Sequence, residues 1–99
     1  MPGKEEIKKH FREGLLKPGI IIATPDYLYG LYEIGPNKWR QVSYTFSDKD
    51  LSVEDIDTRK ALLYLIEEVS KSLVTLNKGE WKVILSEAEL DEIIDKYVT

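Results

Sequence analysis

Residues 58–76 read TRKALLYLIEEVSKSLVTL, and their apolar spacing predicts the longest helix of the chain. Spacing of this kind gathers apolar side chains on one side of a helix, while Arg59, Glu67 and Lys71 lie mostly off that side. Each buried aliphatic side chain stabilises a fold by about 1.5–3 kcal/mol. We therefore expect the apolar stripe to face a sheet and form the main core. Its members, separated by steps of four, three, four and three residues, are Leu62, Ile66, Val69, Leu73 and Leu76.

The same stripe allows a second interpretation. Its mean step of 3.5 residues suits pairing with another helix, including one from a symmetry-related copy. Only two heptads are covered, so packing on the chain's own sheet is the favoured interpretation.

Local sequence patterns predict the elements that precede and follow this helix in the chain. Residues 4–13 form an amphipathic first helix, with Gly14 as its C-terminal stop and Pro18 preventing continuation. The pair Ser86 and Glu89 predicts a capped last helix that runs to about Tyr97. Residues 47–57 form an acidic connector, and 77–79 end the long helix. Four apolar, β-branched or aromatic stretches predict strands at 19–24, 27–34, 38–46 and 81–85.

The element order is therefore αβββαβα, which predicts a single α+β domain over residues 1–99. A mostly antiparallel four-stranded sheet is packed by the long helix, about 58–76, and by two shorter terminal helices. Which sheet face the terminal helices cover is left open.

The central hairpin has a predicted register. With Pro36 and Asn37 as the two central turn residues, Gly35 faces Lys38 and pairs count outward from there. The resulting face carries three apolar or aromatic pairs and one charge pair, and we expect it to meet the long helix as the main core. Its pairs are Glu33 with Arg40, Leu31 with Val42, Tyr29 with Tyr44, and Tyr27 with Phe46.

The opposite hairpin face is the candidate functional surface. In one interpretation a terminal helix covers it, which makes it a second, thin core. In the other it is partly exposed and binds a protein, because aromatic residues dominate protein–protein hot spots. A host or viral protein and a second copy of the chain are both candidate partners. The predicted partner-binding residues are Leu28, Tyr32, Ile34 and Trp39.

An alternative function is weak, sequence-independent nucleic-acid binding. Residues 1–46 carry a net charge of +2 and residues 47–99 a net charge of −6, so a basic face could lie in the N-terminal half. Aromatic rings beside cations also suit stacked bases. The overall acidic charge and the absence of a recognisable nucleic-acid motif argue against it. The residues of this alternative are Lys8, Lys9, Arg12, Lys38 and Arg40.

Enzymatic activity is the least supported class. The chain has no cysteine, a single histidine, His10, and neither a phosphate-binding nor a dinucleotide-binding glycine motif. Adjacent acids such as Glu67 and Glu68 point about 100° apart on a helix and do not converge. We predict no catalytic residue, no metal site and no cofactor.

The composition and the N-terminal sequence indicate the stability and the cellular location of the protein. Charged residues make up 32% of the chain, with few thermolabile side chains, which is typical of hyperthermophile proteins. The N-terminus lacks the apolar region of a signal peptide, and no apolar run is long enough for a transmembrane helix. These features predict a thermostable protein in the cytoplasm.

The stretch GIIIATPDYLYGLYEIGPNKW, residues 19–39, together with this composition and the length of 99 residues, resembles a known group. The chain is similar to small accessory proteins of filamentous double-stranded DNA viruses of thermoacidophilic archaea, of the lipothrixvirus and rudivirus kind. The resemblance implies an α+β fold and a place in the cytoplasm of the infected host cell. It brings no catalytic or binding residues, because that group has no established biochemical activity.

Overall fold

The computed structural model describes the backbone of residues 3–75 and 82–98, and the side chains of these residues except 72–75. The predicted α+β class is confirmed, and these residues form three helices and a five-stranded antiparallel sheet in the order αββββαβα. The elements are α1 (Lys4–Leu15), β1 (Gly19–Ala23), β2 (Tyr27–Gly35), β3 (Lys38–Thr45), β4 (Asp50–Ile56), α2 (Thr58–Thr75), β5 (Lys82–Val83) and α3 (Glu87–Tyr97). The predicted helix stop at 77–79, the start of the last strand at Trp81, and the side chains of Leu73 and Leu76 lie outside the described residues.

Strand β4 corrects the predicted acidic connector. Residues 50–56 pair antiparallel with β3, so that Val42 faces Val53 and Arg40 faces Asp55. The strand lies at an edge of the sheet, where most of its side chains are exposed and carboxylates stay in water. Charged side chains on an edge strand also discourage pairing with other chains. The acidic residues that led to the prediction of a connector are thus compatible with an edge strand.

The sheet separates two apolar clusters. Its strand order is β4-β3-β2-β1-β5, and every neighbouring pair is antiparallel. Helices α1 and α3 pack on one face around the fully buried Ile7, Phe11, Leu90 and Ile94. Helix α2 packs on the other face, where Ala61 belongs to a smaller cluster. Both terminal helices therefore cover the same face of the sheet.

The predicted hairpin register is wrong by one residue. Gly35 faces Lys38 as expected, but an irregularity between Glu33 and Gly35 leaves Ile34 as an extra residue. A bulge of this kind shifts all pairs beyond it by one position. Glu33 consequently faces Trp39 instead of Arg40, and Leu28 faces Tyr44.

This shift moves side chains of β3 to the other face of the sheet. Val42 and Tyr44 lie in the α1–α3 core together with Leu28 and Tyr32, away from Tyr29. The face that β3 offers to α2 is instead largely polar, since Gln41 and its alternate neighbours Ser43 and Thr45 lie there. The main core is consequently on the α1–α3 side, contrary to the prediction.

Helix α2 also packs through a different side than predicted. Leu62, Ile66 and Val69 were expected in the core, yet their side chains are 57%, 55% and 42% exposed. The side facing the sheet carries the buried Ala61 and the partly buried Leu65 instead. The short Ala61 side chain lies in the cluster of Tyr29, Leu31 and Ile56, whereas the β3 side chains that face α2 are mostly polar.

Local signals set the helix ends. Asp57 caps α2, since its Oδ1 accepts the backbone N–H of Lys60 at 2.8 Å, and Ser86 caps α3 by accepting the N–H of Glu89 at 3.2 Å. Gly14 does not end α1 as predicted. It lies within the helix and against Tyr32, where a Cβ atom would come within 2.6 Å of the ring. Gly14 is therefore required for close packing of α1 on the sheet.

Candidate functional site

The outer side of α2 carries the most extended row of exposed aliphatic side chains on one element of the described chain. Leu62, Ile66 and Val69 form the stripe, and Leu63 beside it is 58% exposed. We call the first three residues the α2 stripe. Soluble monomers rarely leave contiguous apolar patches in water unless the patch meets a partner. The α2 stripe is therefore the candidate functional surface.

Polar contacts fix the rotation of α2 and so keep this stripe outward. Glu68 is only 7% exposed, and its Oε2 accepts the hydroxyl of Tyr27 at 3.0 Å. Lys71 Nζ lies 3.3 Å from the other carboxylate oxygen of Glu68. Farther along, the Tyr64 hydroxyl donates to Glu54 Oε1 at 2.8 Å and ties α2 to β4. These contacts on the inner side would be broken if α2 turned its apolar stripe toward the sheet.

A polar cavity of about 320 Å³ lies between α2 and strands β2 and β3. Burial and the hydrogen bond to Glu68 raise the pKa of Tyr27 to about 12, so that its phenol keeps its proton and donates well above neutral pH. The cavity is on the inner, polar side of α2, between the helix and the two strands. Its lining residues are Tyr27, Tyr29, Gln41, Ser43, Thr45, Tyr64, Glu67, Glu68 and Lys71.

The four predicted partner-binding residues do not share one surface. Leu28 and Tyr32 are fully buried in the α1–α3 core, and Ile34 packs against it. Trp39 lies on the opposite face, half-buried in the α2 cluster, with a buried indole N–H that has no hydrogen-bond partner among the described residues. The bulge at Ile34 is the physical reason, because it places Trp39 opposite Glu33 and on the other side of the sheet from Tyr32.

The residues of the nucleic-acid alternative are divided between two sites, and three of the five contact carboxylates. Lys8 and Arg12 on α1 form ion pairs with Asp91 on α3. Arg40 contacts Asp55 through two nitrogens, at 2.7 and 3.2 Å. These carboxylates oppose the attraction that a phosphate backbone needs.

The remaining two residues of that alternative are Lys9, exposed on α1, and Lys38. Lys38 lines a surface cavity of about 560 Å³ that also contains Arg40, Asp55 and Asp57. The structure does not gather the five basic residues into one face.

His10 contributes its backbone to the fold. Its carbonyl oxygen accepts the Tyr32 hydroxyl at 3.0 Å, which anchors α1 to β2. Within 3–75 and 82–98, no group of three or more His, Cys, Asp or Glu residues is arranged to hold a metal ion. Nor is any helix in these ranges long and apolar enough to cross a membrane.

Comparison with protein-family models, with curated proteins and with solved structures finds no match for this chain. The resemblance to accessory proteins of archaeal filamentous viruses stays a prediction.

The sequence predicted exposed and buried apolar surfaces that differ from those of the structure, for a specific reason. It placed the longest apolar stripe in the core and the aromatic hairpin face outside, whereas the structure exposes Leu62, Ile66 and Val69 of the stripe and buries Leu28 and Tyr32 of the hairpin face. One sequence signal was available, since a mean step of 3.5 residues suits a helix partner as well as a sheet. The polar residues at alternate positions of β3 were the second signal, but the register was needed to interpret them.

Proposed function

We propose that this protein is a protein–protein interaction module that acts by binding, without catalysis, through the α2 stripe. The single observation that carries the proposal is the exposure of Leu62, Ile66 and Val69 on one side of a helix whose other side is anchored to the sheet. Aliphatic surface of this kind gains free energy when a partner removes it from water.

The composition of the stripe favours a protein partner over a nucleic acid. The three stripe residues are uncharged, and cores of protein interfaces are depleted in charge. A nucleic-acid surface would instead need cations that reach phosphates. Contrary to the expectation from the sequence, Arg59 at the start of α2 is in line with the stripe, because it lies three residues before Leu62 and seven before Ile66.

Site-specific photocrosslinking tests this function. Leu63, beside the stripe, is replaced by a benzophenone amino acid, and the protein is irradiated in extracts of cells that naturally contain it. We expect a discrete protein adduct, whose mass and peptides identify the partner chain, because a partner on the stripe covers Leu63. The adduct should disappear when Ile66→Asp is added, since a buried unpaired charge opposes binding.

The matched control places the same photoreactive group at Leu16, an exposed leucine at the end of α1 that is 84% exposed. Adducts that form equally from Leu16 and Leu63, or that survive Ile66→Asp, would contradict the proposal. Circular dichroism of each variant confirms that the fold is intact.

A further inference from the structure

We infer that the partner of the α2 stripe is a second copy of this chain, with the two α2 helices packed side by side and antiparallel. The inference rests on the proposed function and names the occupant of the same surface. It is carried by the spacing of the stripe, by the absence of charge along its centre, and by the placement of charges at the two ends of α2.

The spacing suits a helix partner. Arg59, Leu62, Ile66 and Val69 follow steps of three, four and three residues, which is the pattern of the two seam positions in a paired helix. A helix that only needs to pack on its own sheet has no use for this seam on its outer side. The inner side of α2 already meets the sheet through Ala61 and Leu65.

The seam is compatible with its own copy. In a two-fold dimer each patch meets the same patch, so that a charge near the centre would lie close to its like charge in the partner. The centre of the seam contains Ile66 and Val69, and the positions flanking the seam here are Leu65 and Ser70, which carry no charge. An axis between Ile66 and Val69 places each of these residues opposite the other one in the partner.

The ends of α2 favour the antiparallel arrangement. The first turn contains Arg59 and no acidic residue, and the last turn contains no basic residue. A helix C-terminus carries partial negative charge and is stabilised by a nearby cation. Antiparallel packing brings Arg59 of each copy to the last turn of the other, whereas parallel packing brings the two Arg59 side chains together.

Sedimentation equilibrium tests the dimer with a matched pair of variants. Val69 on α2 and Val53 on β4 are 42% and 43% exposed, so that Val69→Asp and Val53→Asp add the same charge to equally exposed positions. We expect the wild type and Val53→Asp to be dimers and Val69→Asp to be a monomer with unchanged helix content. Leu62→Asp provides a second stripe variant with the same expected loss of the dimer.

Spin labels test the orientation, because the chain has no native cysteine and single cysteines can be introduced. In the antiparallel pair, labels at Lys60 lie farther apart than labels at Glu67 by about 21 Å along the helix axis, given a rise of 1.5 Å per residue. A parallel pair gives equal spacing at both positions, because residues seven apart occupy the same position relative to the seam. Arg59→Glu should weaken the antiparallel dimer by roughly tenfold at low salt. The same substitution should stabilise α2 within each copy, because an acidic side chain is favourable at a helix N-terminus.

Three results would overturn the inference. They are a wild type that stays monomeric up to about 1 mM, a dimer that persists in Val69→Asp and Leu62→Asp, and equal label distances at Lys60 and Glu67. Monomeric protein that still forms a specific adduct with another protein from Leu63 would leave the proposed function standing. Failure of both experiments would remove the function as well.

Discussion

At the scale of single residues, the pair of Arg40 and Asp55 shows how a long-range contact changes the chemistry of a surface group. The two side chains face each other across β3 and β4 and make two hydrogen bonds, while Glu13 of α1 lies 3.7 Å from the same guanidinium. Hydrogen bonding to Arg40 lowers the pKa of Asp55 below its ordinary value. Asp55 therefore couples the stability of the edge strand to pH.

This coupling has a definite sign. A lowered pKa means that the folded state holds the carboxylate more strongly than the unfolded state does. The stabilising contribution of Asp55 is complete above the ordinary carboxyl pKa of about 3.9 and is lost as pH falls through the lowered folded value. We expect the free-energy difference between wild type and Asp55→Asn, measured by denaturant unfolding, to be constant near neutral pH and to vanish in strong acid.

The control is the same substitution in an Arg40→Gln background, which removes the largest cause of the lowered pKa and leaves the weaker charge effect of Lys38. There the difference caused by Asp55→Asn should depend much less on pH in the acidic range. An undiminished pH dependence without Arg40 would mean that another group sets the pKa of Asp55.

At the scale of elements, one extra residue in β2 determines which side chains meet. Ile34 interrupts the ladder, and beyond it the register differs by one from simple counting outward from the turn. Strand β4 then extends the sheet from the shifted β3, with Ser43 facing Ser52. The bulge and the edge strand together explain why Tyr29 and Tyr44 lie on opposite faces.

Paired cysteines test this part of the sheet directly. Facing residues of an antiparallel pair have Cα atoms about 4.5–5.5 Å apart, which a disulfide can bridge. We expect Ser43→Cys combined with Ser52→Cys to form an intramolecular disulfide under mild oxidation. It is detected as a loss of free thiols without formation of a disulfide-linked dimer. The control, Ser43→Cys with Val53→Cys, points the two thiols to opposite faces and should remain reduced. A reversed result would disprove the β3–β4 register.

At the scale of the whole molecule, the two faces of the sheet bury very unequal apolar surfaces. The α1–α3 side holds most of the fully buried large side chains, including Phe11, Leu28 and Tyr32, whereas the α2 side holds a smaller cluster around Ala61. Stability should accordingly come mainly from the α1–α3 side. On helix α2, Leu62, Ile66 and Val69 stay exposed and add little to this stability.

Two leucine substitutions separate these roles. Leu28→Ala removes a fully buried side chain and should lower the free energy of unfolding by about 2–5 kcal/mol. Leu62→Ala removes a side chain that is mostly in water and should change it by about 0.5 kcal/mol or less in dilute, monomeric protein. Urea unfolding followed by circular dichroism at low protein concentration measures both. Equal losses would show that the stripe is part of the core after all.

The sequence by itself determined the features that depend on neighbours along the chain. It predicted the start of α2, the Ser86 cap of α3 and the α+β class, because caps and helical periods act within a few residues. Tertiary structure decided which face of the sheet each helix covers. That choice depends on the bulge at Ile34 and on the pairing of β3 with β4, and a shift of one residue exchanges the two faces of a strand. For the same reason the candidate site lies on α2 and not on the hairpin. Polar side chains of β3 face the helix, and the apolar α2 stripe stays exposed.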